Sequence, residues 1–297
     1  MHIVPVFHWG RYISAFVVLA ACGWLVWIFA TSENMRWGEV LRYMFDGGIL
    51  TGLVVTLQLT AISMIAGTIL GVIAAIMRMS VNPVLRYVSN AYIWFFRGTP
   101  LLVQIILWFN IGLFIPTLHL GFTEIDMNSV ITSFVAASLA LSLNEGAYMA
   151  EIVRAGITSV HKGQTEAASA LGLNPAKTMR RIILPQALRI IIPPTGNQAI
   201  GMLKATSLVS VIAASELLTQ AQIIYMRNYL VIELLFVVSI WYLIVTTVAS
   251  IGQHYLEQHF SPDTRPDGKV RTAISIRAVR NLGTLGVTPL KSEKGNS

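Results

Sequence analysis

Long apolar blocks, each close to 20 residues, alternate with short polar connections along most of this 297-residue chain. They run as continuous blocks, not as amphipathic stripes, and their length matches a helix crossing a hydrocarbon layer of about 30 Å. The pattern predicts six spans: Tyr12 to Ala30, about Ile49 to Met77, about Thr99 to Ile115, about Val130 to Ala150, about Ile190 to Ala214 and about Tyr229 to Gly252. The second block is longer than a bilayer requires, so a tilted or protruding helix is expected. The aromatic stretch from Val84 to Phe96 precedes the third block and suits the membrane interface. From Gln253 to Ser297 the chain turns polar, basic and rich in Gly, Pro and Ser, the composition of a disordered tail.

Charge gives the blocks a direction. Only 12% of residues are charged and 55% are hydrophobic, with a mean hydropathy of +0.65; soluble domains carry about 25% charged residues. In a soluble protein the net charge of +7 would suggest nucleic acid, but in a membrane chain a basic excess marks the inner loops. No nucleic-acid partner is therefore expected. Arg11, then Arg78, Arg86 and Arg97, then six Lys/Arg between 151 and 189, then seven in the tail make up 17 of the 21 basic residues, all on one side of the predicted topology. The other side holds only Arg36, Arg42 and Arg227, together with Glu33, Glu39, Asp46, Glu124, Asp126 and Glu216. This asymmetry places both termini and the loop at 161–185 in the cytoplasm. The first block also admits a reading as a cleaved signal peptide. Its run of about 19 residues includes Trp24 and Trp27 and exceeds a typical signal core, which favours a retained anchor.

The loop at 161–185 is the polar exception. A helix is expected from about Gln164 to Leu171, with Glu166 in its first turn, where it suits the helix dipole. Gly172 is placed to take a left-handed cap. Asn174 and Pro175 begin a second helix as N-cap and first residue, Lys177, Arg180 and Arg181 make it basic, and Pro185 is expected to end it. The product is a helix-turn-helix elbow. By composition alone it could equally be a solvated connector with good caps.

Several polar residues fall within the blocks. Charges at membrane depth are expensive unless they face a partner or water. Asn144 and Glu145 lie in the fourth block; Asn197, Gln198, Lys204, Thr206 and Ser207 lie in the fifth, with Asn197, Lys204 and Ser207 able to share a helix face. One reading is a polar pathway, with Glu145 meeting a cationic group and Lys204 an anionic one. The other is interhelical glue. Pro193 and Pro194 are expected to break the start of the fifth span, and Glu233 sits near the outer end of the sixth. Gly52, Gly67 and Gly71 suit close helix packing. Arg97 is expected at the cytoplasmic edge, with Thr99 and Pro100 opening the third span as cap and first residue. Cys22 stands alone, the six histidines lack metal spacing and no nucleophile–base pair is apparent, so neither metal binding nor catalysis is expected.

Glu166-Ala167-Ala168, then Gly172, then Ile182, Leu184 and Pro185 reproduce the identity and spacing of the EAA motif of ABC importer permeases. The run from Phe96 to Gln104, FRGTPLLVQ, resembles a signature of the polar amino-acid branch, the histidine/glutamine/glutamate-type permeases. Gly146-Ala147-Tyr148, Ala150-Glu151-Ile152, Leu184 to Arg189 with Pro193-Pro194, and Leu203-Lys204 with Thr206-Ser207-Leu208 add to the likeness, which covers about residues 48–252.

The resemblance implies an all-α integral membrane protein with about six transmembrane helices. These would form a type I ABC importer permease core of five helices plus one N-terminal helix, in the bacterial cytoplasmic (inner) membrane. It implies an N-terminal anchor and external linker at 1–47, the permease domain at 48–252 and a cytoplasmic tail at 253–297. The implied function is that of the permease subunit of an ATP-driven importer for polar amino acids. The elbow would dock on a separate ATP-binding subunit, the small Ala167 and Ala168 allowing close approach and Glu166 making a polar contact. Other implied partners are a second permease subunit, identical or related, an extracytoplasmic substrate-binding protein, the amino acid and membrane lipid. No G-x-x-x-x-G-K-[ST] loop occurs, so no cofactor is expected on this chain, and ATP with magnesium belongs to the partner. Where family members often carry an acidic or polar residue this chain has Ala205, which leaves the substrate open; Glu145 favours a zwitterionic or cationic one. The alternative is a secondary transporter or channel driven by ion gradients, which predicts buried carboxylate pairs and no elbow. A membrane scaffold without transport is a third reading.

Overall fold

The computed structural model describes residues 9–33, 35–120 and 123–260. The helices are α1 (Trp9–Ala30), α2 (Trp37–Met44), α3 (Gly47–Met79), α4 (Pro83–Gly98), α5 (Leu101–Phe109), α6 (Met127–Val130) and α7 (Ser133–Thr158). Then follow α8 (Lys162–Ala170), α9 (Pro175–Thr178), α10 (Leu184–Ala205), α11 (Leu217–Asn228) and α12 (Val231–Phe260). Between α5 and α6 an antiparallel hairpin, β1 (Thr117–Leu120) and β2 (Thr123–Asp126), pairs Leu118 with Ile125, an addition to the all-α expectation.

By length and hydropathy α3 and α12 each suffice to cross a bilayer. Two bent pairs qualify as broken spans: α4 with α5 at 105°, and the run Pro175–Ile212 with α11 at 45°. α1, apolar over Tyr12–Trp24, and the 26-residue α7, whose apolarity Glu145, Glu151 and Arg154 reduce, fall on the first and fourth expected blocks without reaching the same length and hydropathy. At 33 residues α3 is about 50 Å long, well beyond the hydrocarbon thickness. α3 and α7 form the central pair. Small residues bring them together: Ala136, Ala137, Ala140, Ala147 and Ala150 of α7 are wholly buried, and a Cβ on Gly71 would collide with Met149. Gly52 likewise admits Leu217, whose Cα would lie 2.9 Å from a Cβ there.

The third span departs from its expected course. It does not start at Thr99; it is broken there. Pro100 clashes with a helical conformation in the residue before it, so Thr99 is extended (φ −110°, ψ 147°) and α4 stops at Gly98. The backbone left bare at the break is served by two buried amides. The Gln104 side chain donates to Phe96 O at 2.9 Å and Thr99 O at 3.1 Å, and the Asn144 side chain donates to Phe96 O at 2.9 Å and to Gln104 Oε1 at 3.1 Å. Irregular backbone at membrane depth survives only when protein satisfies it in this way. Thr99 does not cap α5; its hydroxyl donates back to Phe95 O.

Two proline expectations also need correction. Pro185 does not end the second elbow helix. Residues Met179–Ile183 wind as a π turn, and α10 starts a fresh register at Leu184. Pro185 then occupies the first turn, where an amide proton has no partner to lose. Nor do Pro193 and Pro194 break the span: α10 is continuous through both. Neighbouring chain supports this stretch, with the Gln253 side chain donating to Pro193 O at 3.2 Å. α12 runs on to Phe260, past the expected end of the permease domain at 252; the rest of the basic tail lies outside the described residues.

At the end of the bundle near the elbow, just past the apolar part of α7, three helices are tied by one carboxylate. Glu151 bonds Arg78 of α3 and Arg154 (3.0 Å), and lies 3.4 Å from Arg97 of α4. Arg97 also lies over the Tyr148 ring, 5.2 Å from its centroid. Partial burial alone would raise the Glu151 carboxyl, but the hydrogen bonds and charge of Arg78 and Arg154 prevail and hold it below the usual carboxylate range.

Candidate functional site

Gly67 makes room for the most unusual side chain of the bundle. A Cβ at residue 67 would lie 2.7 Å from the Cβ of Glu145, so only glycine lets α3 and α7 meet at this level. Glu145 is 3% exposed. The Gln198 side-chain amide of α10 lies 3.4 Å from both of its carboxylate oxygens, the long end of hydrogen-bond range. The Tyr92 hydroxyl of α4 is nearby but donates to Leu143 O at 2.6 Å. Among the described residues no Lys, Arg or His pairs with Glu145. A buried carboxyl group held so weakly has hydrogen-bonding capacity to spare.

The remaining polar residues of the fourth and fifth spans divide by what they face. Asn144 is buried and its amide serves the break between α4 and α5. Asn197, Gly201 and Lys204 are exposed at helical spacing, a stripe that faces out of the single chain. Thr206 is buried with its hydroxyl on Leu203 O, and Ser207 donates to Lys204 O. Both begin a 3-10 segment (Thr206–Ile212), so Ser207 does not continue the α-helical face of Asn197 and Lys204. The structure thus brings Glu145 and Gln198 together, and places Lys204 elsewhere. Beside Gly67 and Gln198, at Thr68 and Thr195, begins a groove of about 730 Å³ lined by Val72, Ile76, Met149, Val153, Leu188 and Ile192, which runs toward the elbow as far as Met179.

In the elbow, Asn174 caps α9 by accepting from Lys177 N at 2.8 Å, and Gly172 adopts φ +72° as anticipated. Leu173 N bonds Ala168 O and Gly172 N bonds Ser169 O, each at 3.0 Å, which is the Schellman arrangement. α8 starts two residues earlier than expected, its N-terminus capped by the His161 ring, which accepts from Gly163 N. The motif residues do not all face water. Glu166, Ala167, Gly172, Leu184 and Pro185 are exposed and Ile182 is half-buried, but Ala168 is buried within the elbow itself.

Some residues of consequence carried no sequence signal. Gln104 closes the FRGTPLLVQ run, but nothing in that run showed that its amide would serve the break. Glu216, grouped with the outer acids, is wholly buried; its carboxylate caps α11 through Leu218 N and Thr219 N, both at 2.8 Å, and accepts from the Tyr242 hydroxyl at 3.2 Å. Glu233 is buried and accepts from Arg36 N.

Comparison with known proteins gives this arrangement its context. Residues 67–262 match the family model described as binding-protein-dependent transport system inner membrane component. The chain is 46% identical over 258 residues to the arginine transport system permease protein ArgU of Corynebacterium glutamicum, covering 86% of this chain and 82% of that protein. It is 41% identical over 208 residues to the L-cystine transport system permease protein TcyB of Bacillus subtilis, covering 70% and 84%. A crystal structure of an amino acid ABC transporter with histidines superposes with a TM-score of 0.67 at 35% identity, over 76% of this chain and 99% of that one. A membrane bundle with broken spans, a capped elbow and a match over most of its length make this chain a member of the binding-protein-dependent transport system inner membrane components, the permease subunits of ABC transporters.

Proposed function

We propose that the chain forms one half of the translocation pathway of an ATP-driven importer for polar amino acids, with a preference for a cationic side chain. The observation that carries the substrate class is Glu145, a buried carboxyl group whose one side-chain partner among the described residues is the distant Gln198 amide. The likeness to an arginine permease supports the same reading. Glu145 and Gln198 would receive the cationic group. Asn197, Lys204 and Ser207, on or beside the outward stripe, would meet the carboxylate end where a second permease subunit closes the pathway. The apolar groove beyond Thr68 offers a charged solute no partner, so the polar pathway is assigned to Glu145, Gln198 and the outward stripe and not to this groove. Asn144 and Thr206 support this region through the backbone bonds they make.

The elbow is the coupling element in this reading. Glu166, Ala167, Ala168, Gly172, Ile182, Leu184 and Pro185 would receive the motion of an ATP-binding subunit that holds ATP and magnesium, and this chain would bind no cofactor. The loop would lie on the cytoplasmic side of a bacterial inner membrane, with both termini on the same side and the hairpin facing an extracytoplasmic binding protein. The test is uptake by the reconstituted complex of this chain, its ATP-binding subunit and its binding protein. Arginine or lysine uptake that falls at least tenfold in Glu145→Gln, with neutral amino acids less affected, is the expected result. Equal uptake of cationic substrates by both proteins would overturn the assignment of Glu145, and uptake of sugars alone would overturn the amino-acid reading.

A further inference from the structure

The EAA motif names two alanines, but only one is free to meet a partner. Ala168 is 1% exposed: it is the residue whose carbonyl closes the Schellman turn with Leu173 N, and its side chain is enclosed by the elbow. Ala167 is exposed. Four residues on, and so on the same face of α8, stands Leu171, 80% exposed. Gln164, three residues before Ala167, extends the strip. An aliphatic side chain so exposed on a water-facing elbow is out of place unless something covers it.

Its presentation is rigid. Leu171 is the residue before Gly172, whose φ of +72° turns the chain, and Leu171 N is itself bonded to Ala167 O at 3.1 Å. An anchor held by such a turn loses little freedom on docking. The surroundings describe the other side of the contact. Lys162, Lys177, Arg180 and Arg181 are all exposed on the elbow, against the single acid Glu166. A large apolar knob beside a small residue, ringed by cations, calls for an apolar socket with an acidic rim.

We infer that Leu171 is the principal anchor by which this permease holds its ATP-binding subunit, and that the docking face is the strip Gln164–Ala167–Leu171, not the pair Ala167–Ala168. The inference rests on the elbow being the coupling element and adds the residue and the chemistry of the socket. Hot-spot side chains of this kind sit in desolvated pockets, and the charged rim around them contributes orientation and rate.

The experiment is a binding titration of the purified ATP-binding subunit against the full-length permease in lipid nanodiscs, comparing the unaltered chain with Leu171→Ala, Leu171→Asp, Leu171→Met and Ser169→Ala. The expected result is about tenfold or greater loss for Leu171→Ala, more for Leu171→Asp, and near-normal binding for Leu171→Met and for the exposed control Ser169→Ala. Leu171 is exposed, so its replacement leaves the fold's packing intact, and a melting temperature for each variant checks this. If the unaltered chain binds and the Ala and Asp variants bind within twofold of it, Leu171 is not the anchor while the coupling reading stands. If the unaltered chain holds no ATP-binding subunit at all, both fall.

Discussion

A Cβ on Gly67 would lie 2.7 Å from the Cβ and 2.8 Å from the Cγ of Glu145. The α3–α7 interface has therefore no room for even one added methyl group beside the buried carboxylate. Gly67→Ala is expected to destabilise the bundle by about 1–3 kcal/mol through overpacking and to displace Glu145 from Gln198. Thermal unfolding in detergent and uptake should fall together. A variant as stable and as active as the parent would show that the helices are looser here than their spacing indicates.

The break between α4 and α5 is held by the Gln104 and Asn144 amides. Gln104→Leu removes the donor to the buried Phe96 O and the half-buried Thr99 O, and the buried acceptor for Asn144. Each group left without a partner costs about 1–3 kcal/mol. The expected outcome is poor membrane accumulation, and Gln104→Glu should not rescue it, because a carboxylate cannot donate. Normal accumulation of the leucine variant would mean that Asn144 alone suffices.

Gly172 carries the turn between α8 and α9 in a left-handed conformation that branched side chains avoid. Gly172→Val should leave membrane insertion intact and uncouple ATP hydrolysis from transport, while Gly172→Asn, which tolerates this conformation, should retain much of the activity. Hydrolysis and uptake measured side by side in proteoliposomes decide the matter; full transport by the valine variant excludes the elbow as the coupling element.

Glu151 joins α3, α4 and α7 through three arginines. Its carboxyl is held below the usual range, so the stability it contributes is complete above the unfolded value of about 4.3 and is lost as pH falls through the lower folded value. Glu151→Gln should lower stability at neutral pH by about 1–2 kcal/mol and flatten the acid limb of the stability profile. Parallel acid limbs in the two proteins would be the contrary result.

What was legible in the sequence is what depends on neighbours along the chain. Block length gave the spans, and Gly172 and Asn174 gave the elbow, because capping is decided within a few residues. Prolines were read less well. Pro100 as a first helical residue and Pro100 as a break look alike until Gln104 and Asn144, 40 residues apart, are known to meet at Phe96. Pro185 ends a helix only if the register before it is α; the π turn at Met179–Ile183 removes the conflict. Ala167 and Ala168 differ by 100° around one helix, and which of them is covered depends on the path of α9 after the turn.

From Pro175 to Ile212 the chain winds without interruption, changing from α to π to α to 3-10 but never opening into a loop. The elbow and the membrane-embedded segment beside Glu145 are therefore ends of one continuous helical run. A push at Pro175 would be carried along it toward Gln198 and Lys204 as a tilt or a twist, with the π turn and the Pro193–Pro194 pair as the places where it can bend. Conversely, a solute that fixes Gln198 in place resists movement at the elbow. The same continuity that carries work inward would let occupancy of the pathway be felt by the machinery that drives it.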